Sequence, residues 1–187
     1  IDVPVVELQE NLSLIPSNIG LAGAEMYFST YTARERILTK KVIDKVKENF
    51  DFIIIDSPPS LGLLTINAFT ASNSIFIPLD AEYFSMRGLD NLQELIDRGQ
   101  EDLNPALNIA GVFFTKYDNR MVIKSNVRKV IREQFGEKVF NTHIRNNIAV
   151  AEAQAQGMDV FSYDPKCNGA VDYKNLTQEV LVRYNLI

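Results

Sequence analysis

One carboxylate in this sequence stands where it could hold a metal ion. The apolar run Phe52–Ile55 ends in Asp56, and the turn Ser57-Pro58-Pro59-Ser60 follows. The consecutive isoleucines, without polar alternation, predict a parallel strand that is buried on both faces. Ligands of open parallel sheets bind beyond the carboxyl ends of the strands, and the prolines turn the chain away from the sheet as a stiff loop. Asp56 could therefore hold Mg²⁺, directly or through its water shell, beside a phosphate.

The same pattern has a plainer interpretation. An aspartate after a buried strand often only forms a turn or caps a helix. The strand and Asp56 alone favour that structural role. The wider sequence must therefore decide between a turn and a metal site.

Composition narrows the class of protein. The 187 residues can bury a sizeable core and predict one domain over residues 1–187. No apolar run approaches the ~20 residues of a transmembrane helix, which argues against a membrane partner. The single cysteine, Cys167, excludes an internal disulfide and fits a cytoplasmic location. The net charge of −5 excludes a protein that is basic all over, but it allows a local basic patch.

Predicted strands and helices alternate along the chain. The strands are Leu12–Ile15, Phe52–Ile55, Ser74–Leu79, Asn108–Thr115, Lys138–Phe140 and, as a strand or an edge, Val160–Ser162. The helices are Arg34–Asn49, Thr65–Ser72, Met86–Leu103, Val122–Phe135, Asn147–Gln156 and Asn168–Tyr184, with a loop or short helix at Gly20–Phe28. This alternation predicts an α/β fold with three layers and a mostly parallel sheet.

A long stretch around Asp56 resembles a known protein family. The segment is similar to the Walker B and switch region of ParA-type partitioning ATPases, and it reads DFIIIDSPPSLGLLTINAFTASNSIFIPLDAEYFSMRGL. These ATPases belong to the deviant-Walker class of P-loop proteins, which includes MinD. The resemblance runs from NLSLIPSNIGLAGAE to YDPKCNGAVDYKNLTQEV and so covers nearly the whole chain. It implies a P-loop NTPase fold and a parent protein that binds MgATP, dimerises around it, associates with DNA and segregates a plasmid or chromosome.

The resemblance gives roles to residues on the phosphate side. It implies that Asp56 organises Mg²⁺ through water. The switch loop that senses the γ-phosphate, and repacks at a dimer interface, would run from Ser57 through Pro58 and Pro59 to Gly62. Gly62 is equally compatible with simple helix-entry geometry.

On the base side, the resemblance implies contacts from two loops. The residues that stand where the family contacts the adenine base are Thr115, Lys116 and Asp118. A plain turn between strand and helix explains these residues equally well. Asn147 belongs to the family's late nucleotide-side loop, where Pro-Arg-Asn is usual. This chain departs from that motif, since Arg145 stands in place of the proline and Asn146 in place of the arginine.

The phosphate-binding loop that the resemblance requires is missing. A P-loop reads G-x-x-x-x-G-K-[ST], and none of the nine glycines is followed by lysine. In the family, this loop lies upstream of the region that resembles Leu12–Ile15. We therefore expect the C-terminal part of a ParA-like ATPase, N-terminally truncated, that binds neither ATP nor Mg²⁺ alone and is inactive. Loss of a central strand leaves unpaired backbone groups, so we also expect a rearrangement or pairing with another copy.

Basic residues on one predicted helix could contact DNA. Lys124, Arg128 and Arg132 repeat every fourth residue and share one helical face. ParA-like proteins bind DNA non-specifically through basic surface residues, and the candidates here are Arg120, Lys124, Arg128, Lys129 and Arg132. Binding by such a row would weaken steeply with salt. A solvated helix face is the alternative.

The resemblance also implies partners for the parent ATPase. They are a second copy in a homodimer or other homo-oligomer, a ParB-type centromere-binding protein and non-specific DNA, at a cytoplasmic, nucleoid-associated location. Two other functions stay open. The missing P-loop favours a non-catalytic interaction module. A MinD-like positioning ATPase would need a basic amphipathic C-terminal helix, which Tyr173–Ile187 does not provide.

Overall fold

The computed structural model of the protein describes residues 3–80 and 86–186. The chain forms two compact units. The first unit comprises Ile1–Asn73 and Asp90–Asn108, and the second comprises Ser74–Leu89 and Ile109–Ile187. The prediction of a single domain stays a prediction.

The first unit begins with a β-hairpin. Strand β1 (Val6–Gln9) pairs antiparallel with β2 (Leu12–Leu14). Asn11 closes the turn at a φ of 61°, a left-handed conformation that asparagine tolerates better than most residues. The prediction of a strand at Leu12–Ile15 is confirmed, whereas its partner β1 was not predicted.

The first unit also contains several helices. They are α1 (Gly20–Phe28), α2 (Asp44–Val46), α3 (Leu63–Ala71) and, from Asp90 onward, α4 (Met86–Asp102). Around α2, the predicted helix Arg34–Asn49 is broken into tighter and wider turns, namely the 3₁₀ turns Arg34–Arg36 and Lys47–Asn49 and the π-helical turn Thr39–Ile43. The predicted helices of this unit are otherwise confirmed.

Two side-chain amides, one buried and one half-buried, tie α3 to neighbouring segments. The side chain of Asn67 donates to the carbonyl of Arg34 at 2.9 Å and accepts from the amide of Leu38 at 3.0 Å. The amide of Asn104 donates to the carbonyls at both Phe69 (3.0 Å) and Ser72 (2.6 Å). Since buried polar groups are stable only when they are hydrogen-bonded, these contacts specify where α3 begins and ends.

The prediction of a buried parallel strand at Phe52–Ile55 is wrong. In the part of the chain that the structure describes, these residues belong to no strand, and 62% of Phe52 and 94% of Ile54 are exposed. A strand needs hydrogen-bonding neighbours, and no described strand pairs with this run. The expectation of a rearrangement or of pairing with another copy stays a prediction.

The second unit contains a parallel sheet. Strand β3 (Ser74–Asp80) pairs with β4 (Asn108–Thr115), and single parallel bridges join Val112 to Val139 and Tyr117 to Arg145. The helices are α5 (Val122–Phe135), α6 (Ile148–Ala155), α7 (Val160–Tyr163) and α8 (Asn168–Arg183). The α/β fold with a parallel sheet is confirmed.

The core of this unit lies around β4. Its most deeply buried large side chains are Phe114, Lys124, Phe140, Ile131 and Val112. Apart from Lys124, these are the apolar positions that the sequence pattern assigns to a core. Lys124 is the exception, and its position matters for the site.

Two predicted strands of the second unit differ in the structure. The strand at Lys138–Phe140 is reduced to the single bridge at Val139. The strand or edge at Val160–Ser162 is instead helix α7, because the carboxylate of Asp159 accepts from the Ser162 amide at 2.9 Å and caps the turn.

Candidate functional site

The switch loop leads into α3 through a close contact with α1. The carboxylate of Glu25 accepts from the amide of Leu64 at 3.0 Å, at the amino end of α3. A Cβ on Gly62 would lie 2.5 Å from that carboxylate oxygen, so a larger residue there would displace the end of the Glu25 side chain. The hydroxyl of Thr65 donates to the Ser60 carbonyl at 2.5 Å. Negative charge is favourable at a helix amino end, and Glu25 thus positions the loop although no sequence spacing pointed to it.

The residues proposed for the phosphate side lie in this loop. Asp56, Ser57, Pro58 and Pro59 are all exposed in the first unit. Within residues 3–80 and 86–186 no cluster of three acidic, histidine or cysteine side chains could hold a metal. A cation at Asp56 would therefore take most of its ligands from water and phosphate, which is the usual coordination of Mg²⁺.

The residues proposed for the base side lie in the second unit. Thr115 ends β4, and Lys116 and Asp118 follow that strand. The amide of Tyr117 donates to the Ile144 carbonyl at 2.9 Å. This contact and the parallel bridge between Tyr117 and Arg145 bring the two loops together, so that Asp118 and Asn147 follow neighbouring extended segments.

Lys124 does not belong to a DNA-binding row. It is 2% exposed, and its ammonium donates to the carbonyl of Lys116 at 2.6 Å. Lys116 itself adopts a left-handed φ of 48°, and its ammonium lies 3.7 Å from the carboxylate of Asp80. Because the ammonium of Lys124 is buried, it cannot reach a DNA phosphate. Lys124 instead fixes the turn that carries the base-side residues.

Asn147 offers an unused hydrogen-bond acceptor. It is half-buried and stands at the amino end of α6, but its side chain does not cap that helix. Its Oδ1 atom is buried and has no hydrogen-bond partner. Burying a polar atom without a partner costs free energy, so a side-chain adjustment that brought this oxygen to an N–H donor would be favourable.

Arg120 neutralises Asp118. Its Nε and Nη2 atoms lie 3.0 and 2.8 Å from the two carboxylate oxygens, and its backbone amide donates to Oδ1 at 2.9 Å. Hydrogen bonds from the side chain and backbone of Arg120 lower the pKa of Asp118 to about 2. Asp118 is therefore ionised at neutral pH, and its negative charge offsets that of Arg120.

The arginine that replaces the usual proline is tied to α8. Arg145 Nη2 and Nε lie 2.7 and 2.9 Å from the carboxylate of Asp172, which also accepts from the Arg145 backbone amide at 2.9 Å. Burial raises the pKa of Asp172, but the hydrogen bonds and charge of Arg145 outweigh burial and lower it overall. Glu179 of the same helix accepts from the amides of Asn141 and Thr142 at 2.8 Å each. Two carboxylates of α8 thus hold the segment before Asn147.

The remaining basic candidates line a groove on α5. It encloses about 380 Å³, and its lining residues are Ser125, Arg128, Lys129, Arg132 and Glu133. Arg128 donates to the carbonyl of Asn141 at 3.0 Å, and Arg132 donates to its side-chain oxygen at 2.5 Å. Lys129 is exposed.

Comparison with known proteins decides the family. Residues 2–109 match the AAA domain family. The chromosome-partitioning ATPase Soj of Treponema pallidum is 45% identical over 173 residues, which cover 92% of this chain and 68% of that protein. The sporulation initiation inhibitor protein Soj of Bacillus subtilis is 42% identical over 180 residues, covering 96% and 71%. This chain belongs to the ParA/Soj family of partitioning ATPases.

Solved structures confirm the P-loop NTPase fold of this ParA/Soj chain. Cobyrinic acid a,c-diamide synthase of Mycobacterium smegmatis with bound ADP and magnesium is 30% identical, with a TM-score of 0.79 over 97% of this chain and 66% of that one. The chain thus spans slightly less than two thirds of that structure. MinD of Pyrococcus horikoshii, complexed with Mg-ADP, is 19% identical with a TM-score of 0.64 over 94% and 66%, a likeness of fold alone. Among the helices that the structure describes, none combines the length and apolar character needed to cross a bilayer.

Proposed function

We propose that this chain supplies the magnesium-side carboxylate, the switch loop and the base-binding loops of an ATP-dependent partitioning ATPase. The observation that carries the proposal is the buried, unpartnered Oδ1 of Asn147 beside the 115–118 turn. Asp56 would hold Mg²⁺ through water, and the bound metal would neutralise charge on the phosphates. The adenine side would be held by Asn147 and the turn that Lys124 fixes.

The phosphates have no comparable cradle in these 187 residues. A P-loop binds them with backbone amides and a lysine that directly follows a glycine. No glycine in this sequence is followed directly by a lysine. We propose that the chain alone does not hydrolyse ATP. Activity would then belong to a protein that also contains a phosphate-binding loop.

Calorimetry with MgATP tests whether ATP binding needs a phosphate-binding loop in addition to this chain. We expect the 187-residue chain to bind at least about 100-fold more weakly than the full product of its reading frame, since most phosphate contacts are absent. In the full product, Asn147→Ala should weaken binding by about tenfold, the effect of losing one buried hydrogen bond. The exposed neighbour Asn146 provides the control Asn146→Ala. Equal binding by the short chain and the full product would show that phosphates are held without a P-loop.

We also propose that the α5 groove contacts the DNA backbone. Arg128, Lys129 and Arg132 are the candidates that keep an accessible charge there, whereas Lys124 is buried and Arg120 is paired with Asp118. The contact would be non-specific, because these residues offer charge but no arrangement that reads base edges.

Lys129→Ala and Arg132→Ala are expected to reduce the salt dependence of DNA binding. Each lost phosphate contact lowers the slope of log K against log salt by about 0.9. Binding to duplexes of unrelated sequence, measured by fluorescence anisotropy at several salt concentrations, checks this. Lys166→Ala removes an exposed charge elsewhere in the second unit and should leave the slope unchanged. Identical slopes in all variants would contradict the proposal.

Homo-oligomer formation, a ParB-type partner and nucleoid association in the cytoplasm complete the proposed function. They are supported by membership of the ParA/Soj family, whose relatives include a chromosome-partitioning ATPase. The MinD-like alternative has only the likeness of fold in its favour. If the full product binds no nucleotide, a non-catalytic interaction module is the function that remains.

A further inference from the structure

Asp118 would be able to read a guanine base if its carboxylate were not occupied by another donor. A carboxylate accepts hydrogen bonds at both oxygens and can receive a pair of parallel donors. Guanine presents such a pair in its ring N–H and exocyclic amino group. Adenine lacks the ring N–H, and its amino group beside a ring nitrogen matches the donor and acceptor of an amide.

Both oxygens of Asp118 are occupied within the protein. The planar fork of Arg120 takes Oδ1 and Oδ2, and the Arg120 backbone amide takes Oδ1 a second time. A paired donor from a ligand could bind only by displacing the fork. The other polar group of the site, the amide of Asn147, has an acceptor oxygen that is buried and has no hydrogen-bond partner.

The two groups belong to the same part of the molecule. Tyr117, next to Asp118, bridges to Arg145, which lies two residues before Asn147. The buried ammonium of Lys124 binds the carbonyl of Lys116 and so fixes the backbone just before Asp118. These contacts hold the backbone before each of the two residues independently of the Arg120 side chain.

We propose that Arg120 determines base selectivity: by occupying the carboxylate of Asp118, it denies guanine the paired acceptor that this base needs. This inference rests on the proposed nucleotide-binding function and adds the residue that sets base preference. Specificity would then come from removing the group that the competing base, guanine, needs for binding. The pair is accessible, since 90% of the Arg120 side chain is exposed, so a moderate change of selectivity is expected.

The test compares ADP and GDP binding to the full product of the reading frame. The two ligands carry the same phosphates, so any loss of general electrostatic attraction cancels in the ratio of their dissociation constants. In Arg120→Met, we expect the dissociation constant of GDP divided by that of ADP to fall at least about threefold, which is a shift of preference toward guanine. Arg120→Lys keeps the charge but loses the bidentate fork and should give a smaller shift in the same direction.

The double variant Arg120→Met with Asp118→Asn completes the test. It should cancel the gain in GDP binding, because an amide cannot accept both guanine donors. A second readout needs no nucleotide: the NMR titration midpoint of Asp118 should rise from about 2 toward its ordinary value of 3.8 in Arg120→Met.

The possible outcomes separate the two proposals. An unchanged ratio in Arg120→Met, with ADP still bound, overturns the role of Arg120 and leaves the proposed function standing. A fall in the ratio that persists in the double variant also overturns it, because Asp118 would not be the group released. If the full product binds neither ADP nor GDP, the proposed function fails and this inference fails with it.

Discussion

Asp172→Asn is expected to destabilise the chain by about 3 kcal/mol. The carboxylate is 8% exposed and takes three donors of Arg145, namely its backbone amide, Nε and Nη2. Asparagine keeps the shape but places an amide NH₂ against those donors. Breaking one partner of a buried pair costs about 3–5 kcal/mol, and the partial exposure of Arg145 places the expectation at the low end. Urea unfolding of the full chain measures the loss.

The same substitution should change the pH dependence of stability. The pKa of Asp172 is lowered in the folded protein. Its contribution is therefore fully present above the unfolded pKa of about 3.9 and is lost as the pH falls toward the lowered value. Asp172→Asn should remove this part of the acid sensitivity. Glu133→Gln, at an exposed position of α5, is the control. It should change the free energy of unfolding by no more than about 0.5 kcal/mol, at neutral pH and at acid pH alike.

A double variant separates the ion pair from general disruption of α8. Arg145→Met together with Asp172→Asn leaves no unpaired charge, so it should be more stable than Asp172→Asn alone. Additive losses would mean that the two side chains are not coupled and that the interpretation of the pair is wrong.

The sequence predicted helices well because their signals are local. Val122–Phe135 has the same bounds in the structure as in the prediction, since its apolar period and the following Gly136 lie within one segment. Gly136 and Gly157 both adopt positive φ where helices were predicted to stop. By contrast, Phe52–Ile55 has the strongest strand pattern in the chain but no partner, and pairing is a property of distant segments that no local pattern contains.

The candidate site was predictable as a set of loops but not as a set of contacts. The sequence correctly placed Asp118 in the loop after a strand and Asn147 beside the start of a helix. Helical periodicity put Lys124 on the same face as Arg128, but it could not show that this face packs on the turn at Lys116. The supports from Glu25 and Asp172 join residues 39 and 27 positions apart, at spacings that carry no sequence signal.

Gly111→Ala is expected to destabilise the chain by about 3 kcal/mol or more. Gly111 lies in β4, and a Cβ there would overlap the ring of Phe140. That ring cannot move freely, because the guanidinium of Arg183 lies 4.0 Å from its centroid and Phe76 stacks on it. Overpacking a rigid core costs about 1–3 kcal/mol, occasionally more. The loss of unfolding free energy in urea measures it.

Gly23→Ala provides the matched control for this glycine. Gly23 lies in α1, and nothing stands within 4 Å of an added Cβ. Alanine in a helix interior is better than glycine by about 0.5–1 kcal/mol, so the same substitution should stabilise the protein there. Adding Phe140→Leu to Gly111→Ala should recover part of the loss, since a smaller side chain frees the space that the methyl group needs. If Gly111→Ala were neutral, β4 and Phe140 could separate at little cost, and the close packing of this ring on the strand would not contribute to stability.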